Sequence, residues 1–489
     1  MRPNSSRRPL GLALVAVLSA LGAPGATSAA GLSARQVADP DYRASDAALQ
    51  QAIRAPAPGT RARNVILFIG DGMGVSTVTA ARIFEGQARG VDGASNRLAF
   101  DQLPYAAFSK TYSQDALVTD SANGATALLT GVKTLNGVVS LDGSAKRGDC
   151  ASAASARVAT LAELAKASGL ATGVVTTTRL TDATPAAVYA HAPQRNWESD
   201  ADMPTAARQA GCVDIARQLI EAGPGARPDV VLGGGRGKFT PVEAGGERKD
   251  GRDLIDAWRR GSTGRVATPR TGAELSTLDP SATDSLLGIF GSDNLPYAGA
   301  ISGPEAPPSL TQMTSAAIAV LARKPRGYFL VVEGGNIDKA HHRNDAFHAL
   351  GETAELSRAV AAAMASVDMT DTLIVVTADH SHGLVISGYP PRSASILGAV
   401  PRDDGEARAG DGIVLARALE AATHQGDNPL TTAHARRSDV LVEDRVFRRI
   451  ELDEDALPVA LGSGHLDGRR RQGHAILLQR RGHQVPDHL

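Results

Sequence analysis

"NVILFIGDG", residues 64–72, is a run of apolar residues that ends in glycine and aspartate. It does not alternate as a half-solvated strand would, so it reads as a strand buried on both faces. Four later stretches repeat the form, each after a helical pattern. They are "LATGVVTTTRLTDATP" (170–185), "PDVVLGGG" (228–235), "GYFLVVEGGNID" (327–338) and "DTLIVVTADHSHG" (371–383). Buried β-branched runs that alternate with amphipathic helices predict βαβ units. The fold class is therefore α/β, with a mostly parallel central β-sheet flanked by helices on both faces.

The pattern fails after residue 384. "SGYPPRSASILGAVPRDDGEARAGDG" is loop-like, and "DVLVEDRVFRRIELDEDALPV" alternates as antiparallel strands do. We read 385–445 as a small insertion subdomain, and 61–384 with 446–489 as the α/β catalytic domain. Residues 31–60 form a lead-in rich in alanine and proline. Residues 1–30 have arginines at positions 2, 7 and 8, an apolar run over 10–21, and then small residues. That is a secretory signal peptide, and its apolar run is too short to span a bilayer. The expected location is periplasmic or secreted, with no membrane anchor.

The 489 residues carry a net charge of −1, so no basic surface invites nucleic acid. Aromatic residues make up only 4% of the chain, which predicts an aliphatic core. In an exported chain the two cysteines, Cys150 and Cys212, suggest one disulfide, although two separate thiols remain an alternative.

Open parallel sheets bind ligands outside the carboxyl ends of their strands. Here the first strand ends at Asp71, the fourth at Glu333 with Asp338 close behind, and the fifth at Asp379 and His380. The loop after the second carries Asp182 and Thr184. Carboxylates gathered at one edge repel one another, and divalent cations resolve the conflict. Oxygen ligands suit magnesium, and mixed histidine and aspartate ligands suit zinc. Asp338 and His342, four apart, would share a helix face, whereas His341 would point elsewhere. Each motif also has a plainer reading. Asp71 could be a turn residue, and "DHSH" a surface histidine pair. "GDGMG" lacks the third glycine of a dinucleotide loop. "GGGRGKF" (233–239) lacks the hydroxyl residue of a phosphate loop and reads as a structural turn.

"VTDSANGATALLTG" (118–131) places Ser121 at the start of a helix, with no histidine base near it in sequence. A zinc ion on its oxygen would lower the hydroxyl pKa, and the helix N-terminus would favour the alkoxide and a phosphate. The plainer reading is an N-cap serine.

Seven segments resemble the alkaline phosphatase family: "NVILFIGDGMG", "VTDSANGATALLTGVKT", "DATPAAVYAH", "RNWESDAD", "VEGGNIDKAHH", "TADHSHG" and "GSGH". The likeness runs over about 64–465. It is closest to the animal-type branch over 64–212, with Asp182, Thr184 and Lys339 closer to the enterobacterial one. The resemblance implies two Zn2+ and one Mg2+. Asp71, Asp379 and His380 would hold one zinc, and Asp338, His342 and His465 the other. Asp71, Thr184 and Glu333 would hold magnesium, with Asp182 in its outer shell. Ser121 would be the phosphorylated nucleophile, Arg195 would grip phosphate, and Asp120 would orient Arg195. It implies hydrolysis of small-molecule phosphate monoesters through a phosphoserine intermediate, and a homodimer. A phosphodiesterase or sulfatase of the same superfamily is the runner-up, and a phosphate-binding protein with little turnover is the reading from another class. After His465 the chain departs from the family, running basic as "LDGRRRQGHAILLQRRGHQVPDHL", with His474 as an alternative ligand.

Overall fold

The structure, a computed structural model, describes residues 61–223, 225–398 and 412–415, together with 43, 46, 47 and 50. The 1–30 segment, nearly all of 31–60, most of 385–445, all of 446–489 and His465 lie outside the described residues.

Seven strands form one sheet in the order β4-β5-β3-β2-β6-β1-β7. They are β1 (Asn64–Gly70), β2 (Ala171–Arg179), β3 (Val230–Gly234), β4 (Val266–Ala267), β5 (Ser285–Ile289), β6 (Tyr328–Gly334) and β7 (Thr372–Ala378). Every pairing among them is parallel. Five correspond to the expected runs, and β4 and β5 add an edge that the periodicity did not predict. The only antiparallel pair among the described strands is Leu384–Ser387 with Gly412–Leu415, at the start of the irregular stretch.

The helices that matter for the site are α1 (Val75–Ala88), α2 (Ser121–Thr130), α3 (Ala183–Tyr189), α4 (Leu310–Leu321), α5 (Asn336–His342) and α6 (Ala346–Ser366). Alternate residues of β1 face opposite ways. Leu67 and Ile69 join a core that holds Ala122, Ala125 and Leu129 of α2 and Ala186 and Val188 of α3. Ile66 and Phe68 join another with Ile318 and Leu321 of α4 and Leu356 and Val360 of α6. Helices thus cover both faces of the inner strands, which is why β1, β3 and β6 are mainly apolar, whereas buried β2 carries four threonines and β7 leaves Leu373 and Val375 exposed. Each fully buried Leu, Ile or Val contributes about 1.5–3 kcal/mol of transfer free energy. Both cores are mainly aliphatic, as the composition implied.

The register aligns the carboxyl ends that carry the chemistry. Gly70 pairs with Gly334 of β6 and Ala378 of β7, and Thr176 of β2 pairs with Glu333. Asp71, Glu333 and Asp379 therefore emerge side by side. Gly72 then turns the chain at φ +67, and a Cβ there would stand 2.4 Å from the His382 ring. Only glycine allows both that backbone and that approach. "GGGRGKF" is structural, as expected. It ends in a short 3₁₀ turn, and Lys238 pairs with Asp202 and Glu247.

Cys150 and Cys212 form a disulfide with a Cα–Cα distance of 5.7 Å, which closes the alternative of two free thiols. It packs in one cluster with Trp197, Met203 and Ala207. Among the described residues no helix is long and apolar enough to cross a membrane.

Candidate active site

Ser121 is the first residue of α2, but it is not the cap. The Asp120 side chain accepts from the Asn123 N–H and fills that role. The Ser121 hydroxyl is buried with its oxygen 3.2 Å from Asp71 Oδ1 and 3.1 Å from His380 Nε2. His380 Nε2 lies 3.3 Å from Asp71 Oδ1. Ligands about 2.0 Å from a tetrahedral zinc stand about 3.3 Å from one another, so this triangle has the edge lengths of a zinc site. Asp379 fits a fourth corner. Its Oδ1 accepts from the N–H groups of Gly72 and His380, while Oδ2 is buried without a hydrogen-bond partner among the described residues. Gly124, one turn along α2, lets the helix lie against Asp379, because a Cβ there would meet the Asp379 carbonyl oxygen at 2.7 Å.

Asp338 centres a second group. Its Oδ1 lies 3.3 Å from His342 Nε2, again an edge length suited to two ligands of one ion. His382 Nε2 is 2.6 Å from the same oxygen. That is too short for two ligands of one ion and right for a hydrogen bond, so His382 orients Asp338. Sequence reasoning missed this role. The signal was the second histidine of "DHSH", two residues past His380, with its partner 44 positions away. His341 Nε2 pairs with Thr77 at 3.0 Å, while its ring stacks on His382 with centroids 5.0 Å apart, so it borders the cluster.

Two further buried oxygens stand out singly. Glu333 and Thr184 are both buried, and among the described residues Glu333 Oε1 and Thr184 Oγ1 have no hydrogen-bond partner. Buried polar atoms are seldom left so, and an orphaned oxygen of this kind suits a hard cation.

Arg195 is held by two acids, with Nη1 donating to Asp120 Oδ2 at 3.0 Å and Nη2 to Asp182 Oδ1 at 3.1 Å. Lys339 Nζ bridges Asp182 at 3.0 Å and Asp338 at 3.2 Å. Each terminal guanidinium nitrogen carries a second proton for an anionic ligand. Of the sequence-predicted residues, the structure brings together Ser121, Asp71 and His380, then Asp338 with His342, then Arg195 with Asp120 and Asp182.

The carboxylates divide by what stands beside them. Burial lifts Asp71 well above the usual range, Asp338 and Asp379 add to the rise, and Lys339 offsets part of it. Burial likewise pushes Glu333 up to about 7, against a hydrogen bond from Thr176. Burial also acts on Asp182, but Lys339, Arg195 and Arg179 outweigh it and hold that carboxyl well below the usual range. Asp338 is depressed too, because hydrogen bonds from His342 and His382 overcome its burial. The protein's own cations therefore serve Asp182 and Asp338 and leave Asp71 and Glu333 short of positive charge.

Fold and site together define an α/β enzyme with a cluster of buried ionisable side chains at the carboxyl edge of a parallel sheet. Residues 62–437 match the family model described as alkaline phosphatase. The chain belongs to the alkaline phosphatase family and is a phosphomonoesterase. The tissue-nonspecific alkaline phosphatase of Gallus gallus is 44% identical over 355 residues, 70% of this chain and 67% of that protein. The human tissue-nonspecific isozyme is 44% identical over 356 residues, with the same coverage of 70% and 67%. Among solved structures, the Thermus thermophilus alkaline phosphatase has a TM-score of 0.56 and 32% identity, covering 70% of this chain and 64% of that one. A mutant of the alkaline phosphatase from the Antarctic bacterium TAB5, solved with Mg bound in its M3 site, has a TM-score of 0.55 and 25% identity, covering 73% and 86%.

Proposed function

We propose that the chain is an exported, metal-dependent alkaline phosphatase that hydrolyses small phosphate monoesters through a phosphoserine on Ser121. The observation that carries this reading is the unmet need for cations at Asp71 and Glu333, beside orphaned oxygens on Glu333, Thr184 and Asp379. Asp71, Asp379 and His380 would hold one zinc. Asp338 and His342 would hold another, and the third ligand expected from the resemblance, His465, lies outside the described residues. Asp71, Thr184 and Glu333 would hold magnesium, with Asp182 behind it. When bound, the zinc ions would lower the pKa of the Ser121 hydroxyl and offset charge on the leaving oxygen, and magnesium would neutralise Asp71 and Glu333.

Arg195 receives two phosphate oxygens on a fork that Asp120 and Asp182 hold in place before substrate arrives. Asp120 engages the Asn123 and Gly124 amides of α2, so the amides of Ser121 and Ala122 would be the ones left to an anion there. Ser121 Oγ gives up its proton to water and attacks phosphorus in line, the ester P–O bond breaks, and the alkoxide takes a proton from water and leaves as the alcohol. Water then attacks from the vacated side, the Ser121 Oγ–P bond breaks, a proton of that water returns to Ser121 Oγ, and inorganic phosphate departs. Residues 61–384 with 446–489 form the catalytic domain in this reading, 385–445 is an insertion, and the functional form is a periplasmic or secreted homodimer.

Elemental analysis of the purified chain should find two zinc and one magnesium per molecule. An aryl phosphate should turn over about 100-fold faster than a bis-aryl phosphate or an aryl sulfate, because the Arg195 fork is matched to a dianion. A sulfate ester hydrolysed as fast as the phosphate would favour the sulfatase reading and overturn this one.

A further inference from the structure

Glu333 is held by one oxygen and offers the other. Thr176 and Thr178, on the adjacent strand β2, both direct hydroxyls at Glu333 Oε2, Thr178 at 3.1 Å. The two hydroxyl oxygens are 2.8 Å apart, and the Thr178 N–H donates to Thr176 Oγ1 at 2.9 Å. Both threonines are fully buried and Glu333 is 1% exposed, so water does not compete for these bonds. Gly335 closes the arrangement, because a Cβ there would stand 2.4 Å from Thr178 Cγ2 and 3.0 Å from the Glu333 carboxyl carbon. Glu333 Oε1, in contrast, has no hydrogen-bond partner among the described residues. The threonines thus occupy one carboxylate oxygen and leave a single oxygen to meet a cation.

That division bears on which cation is chosen. Calcium takes six to eight oxygens and accepts carboxylates edge-on through both, whereas magnesium demands a compact octahedron. A carboxylate with one oxygen engaged by two hydroxyls suits magnesium and resists the edge-on geometry.

We propose that Thr176 and Thr178 determine metal specificity, excluding calcium from the Glu333 site by holding its carboxylate to one coordinating oxygen. This rests on the reading that Glu333, Thr184 and Asp71 hold magnesium. The threonines act through Glu333 and are positioning residues.

The test is calorimetric titration of the zinc-loaded chain, stripped of magnesium, with Mg2+ alone and with Ca2+ alone. Wild type, Thr178→Val, the double variant Thr176→Val with Thr178→Val, and Thr178→Ser are compared. Valine keeps the shape and removes the donor, and serine keeps the donor. The ratio of the two dissociation constants should shift toward calcium by about 10-fold in Thr178→Val and further in the double variant, the range typical of outer-shell changes. Thr178→Ser should keep the wild-type ratio. Folded valine variants with an unchanged ratio would overturn the clamp, as would a serine variant that behaves like valine. Wild-type chain that binds zinc but no magnesium would overturn the magnesium reading and the clamp with it.

Discussion

Ser121→Ala is expected to lower phosphomonoester turnover by about 1,000-fold or more while the chain stays folded and keeps its metals. A factor of that size corresponds to about 4 kcal/mol of transition-state stabilisation. Structural loss does not account for it. The cap of α2 is Asp120, so alanine at the next position leaves the N-terminus intact. Alanine also keeps the Cβ and has the best helix propensity. The hydroxyl's contacts to Asp71 and His380 are worth about 1 kcal/mol of stability each, far short of the expected loss in rate. Acid quenching of wild type with labelled substrate should trap label on the protein, and the variant should trap none. A folded variant that turns over within about tenfold of wild type would remove Ser121 from the nucleophile's role.

The parts of this architecture that could be read from the sequence are those where one physical constraint dominates. Strands β1, β3 and β6 lie inside a two-faced sheet, and burial writes apolar runs into them; β2 is as buried but carries four threonines, and β7, last in the described sheet, keeps an apolar run although Leu373 and Val375 are exposed. Strand β4 has two residues, too few to show any period, and β5 follows the turn-rich "TLDPSATD" rather than a helix. Their strand character comes from pairing with β3 and each other, a tertiary effect. The spatial order, with β1 between β6 and β7, was equally invisible, because crossover paths leave no mark on local periodicity. At the site, acids at strand ends were legible because the chain emerges there at a predictable edge. The roles of Thr176, Thr178 and His382 were not. Each acts through a partner far off in sequence, and threonine in a strand is ordinarily a β-former with no further message.

Stripping metal with a chelator should abolish activity, and the loss should be accompanied by a pH-dependent fall in stability. In the metal-free chain Glu333 is pushed up to about 7 from an ordinary value near 4.5, and Asp71 also rises. A carboxylate whose pKa is higher folded than unfolded keeps its proton longer in the folded state. Between pH 4.5 and 7 the folded chain therefore binds more protons, and stability falls as pH rises. For Glu333 the full window is worth on the order of 3 kcal/mol. Melting temperature after chelation should accordingly be higher at pH 5 than at pH 8. Zinc and magnesium added back at pH 8 should restore both activity and melting temperature, because ions that bind only the folded chain stabilise it in proportion to the logarithm of their concentration. Cations replace the missing protons, so the pH slope should flatten in the reloaded protein. Activity that survives thorough chelation would contradict the metal-dependent reading. Glu352, also pushed up to about 7 by burial, adds to the fall with pH. His341, pushed down to about 3 by burial, opposes it below pH 6.5. A reloaded chain with the same pH slope as the stripped one would therefore mean that Asp71 and Glu333 are not balanced by bound ions.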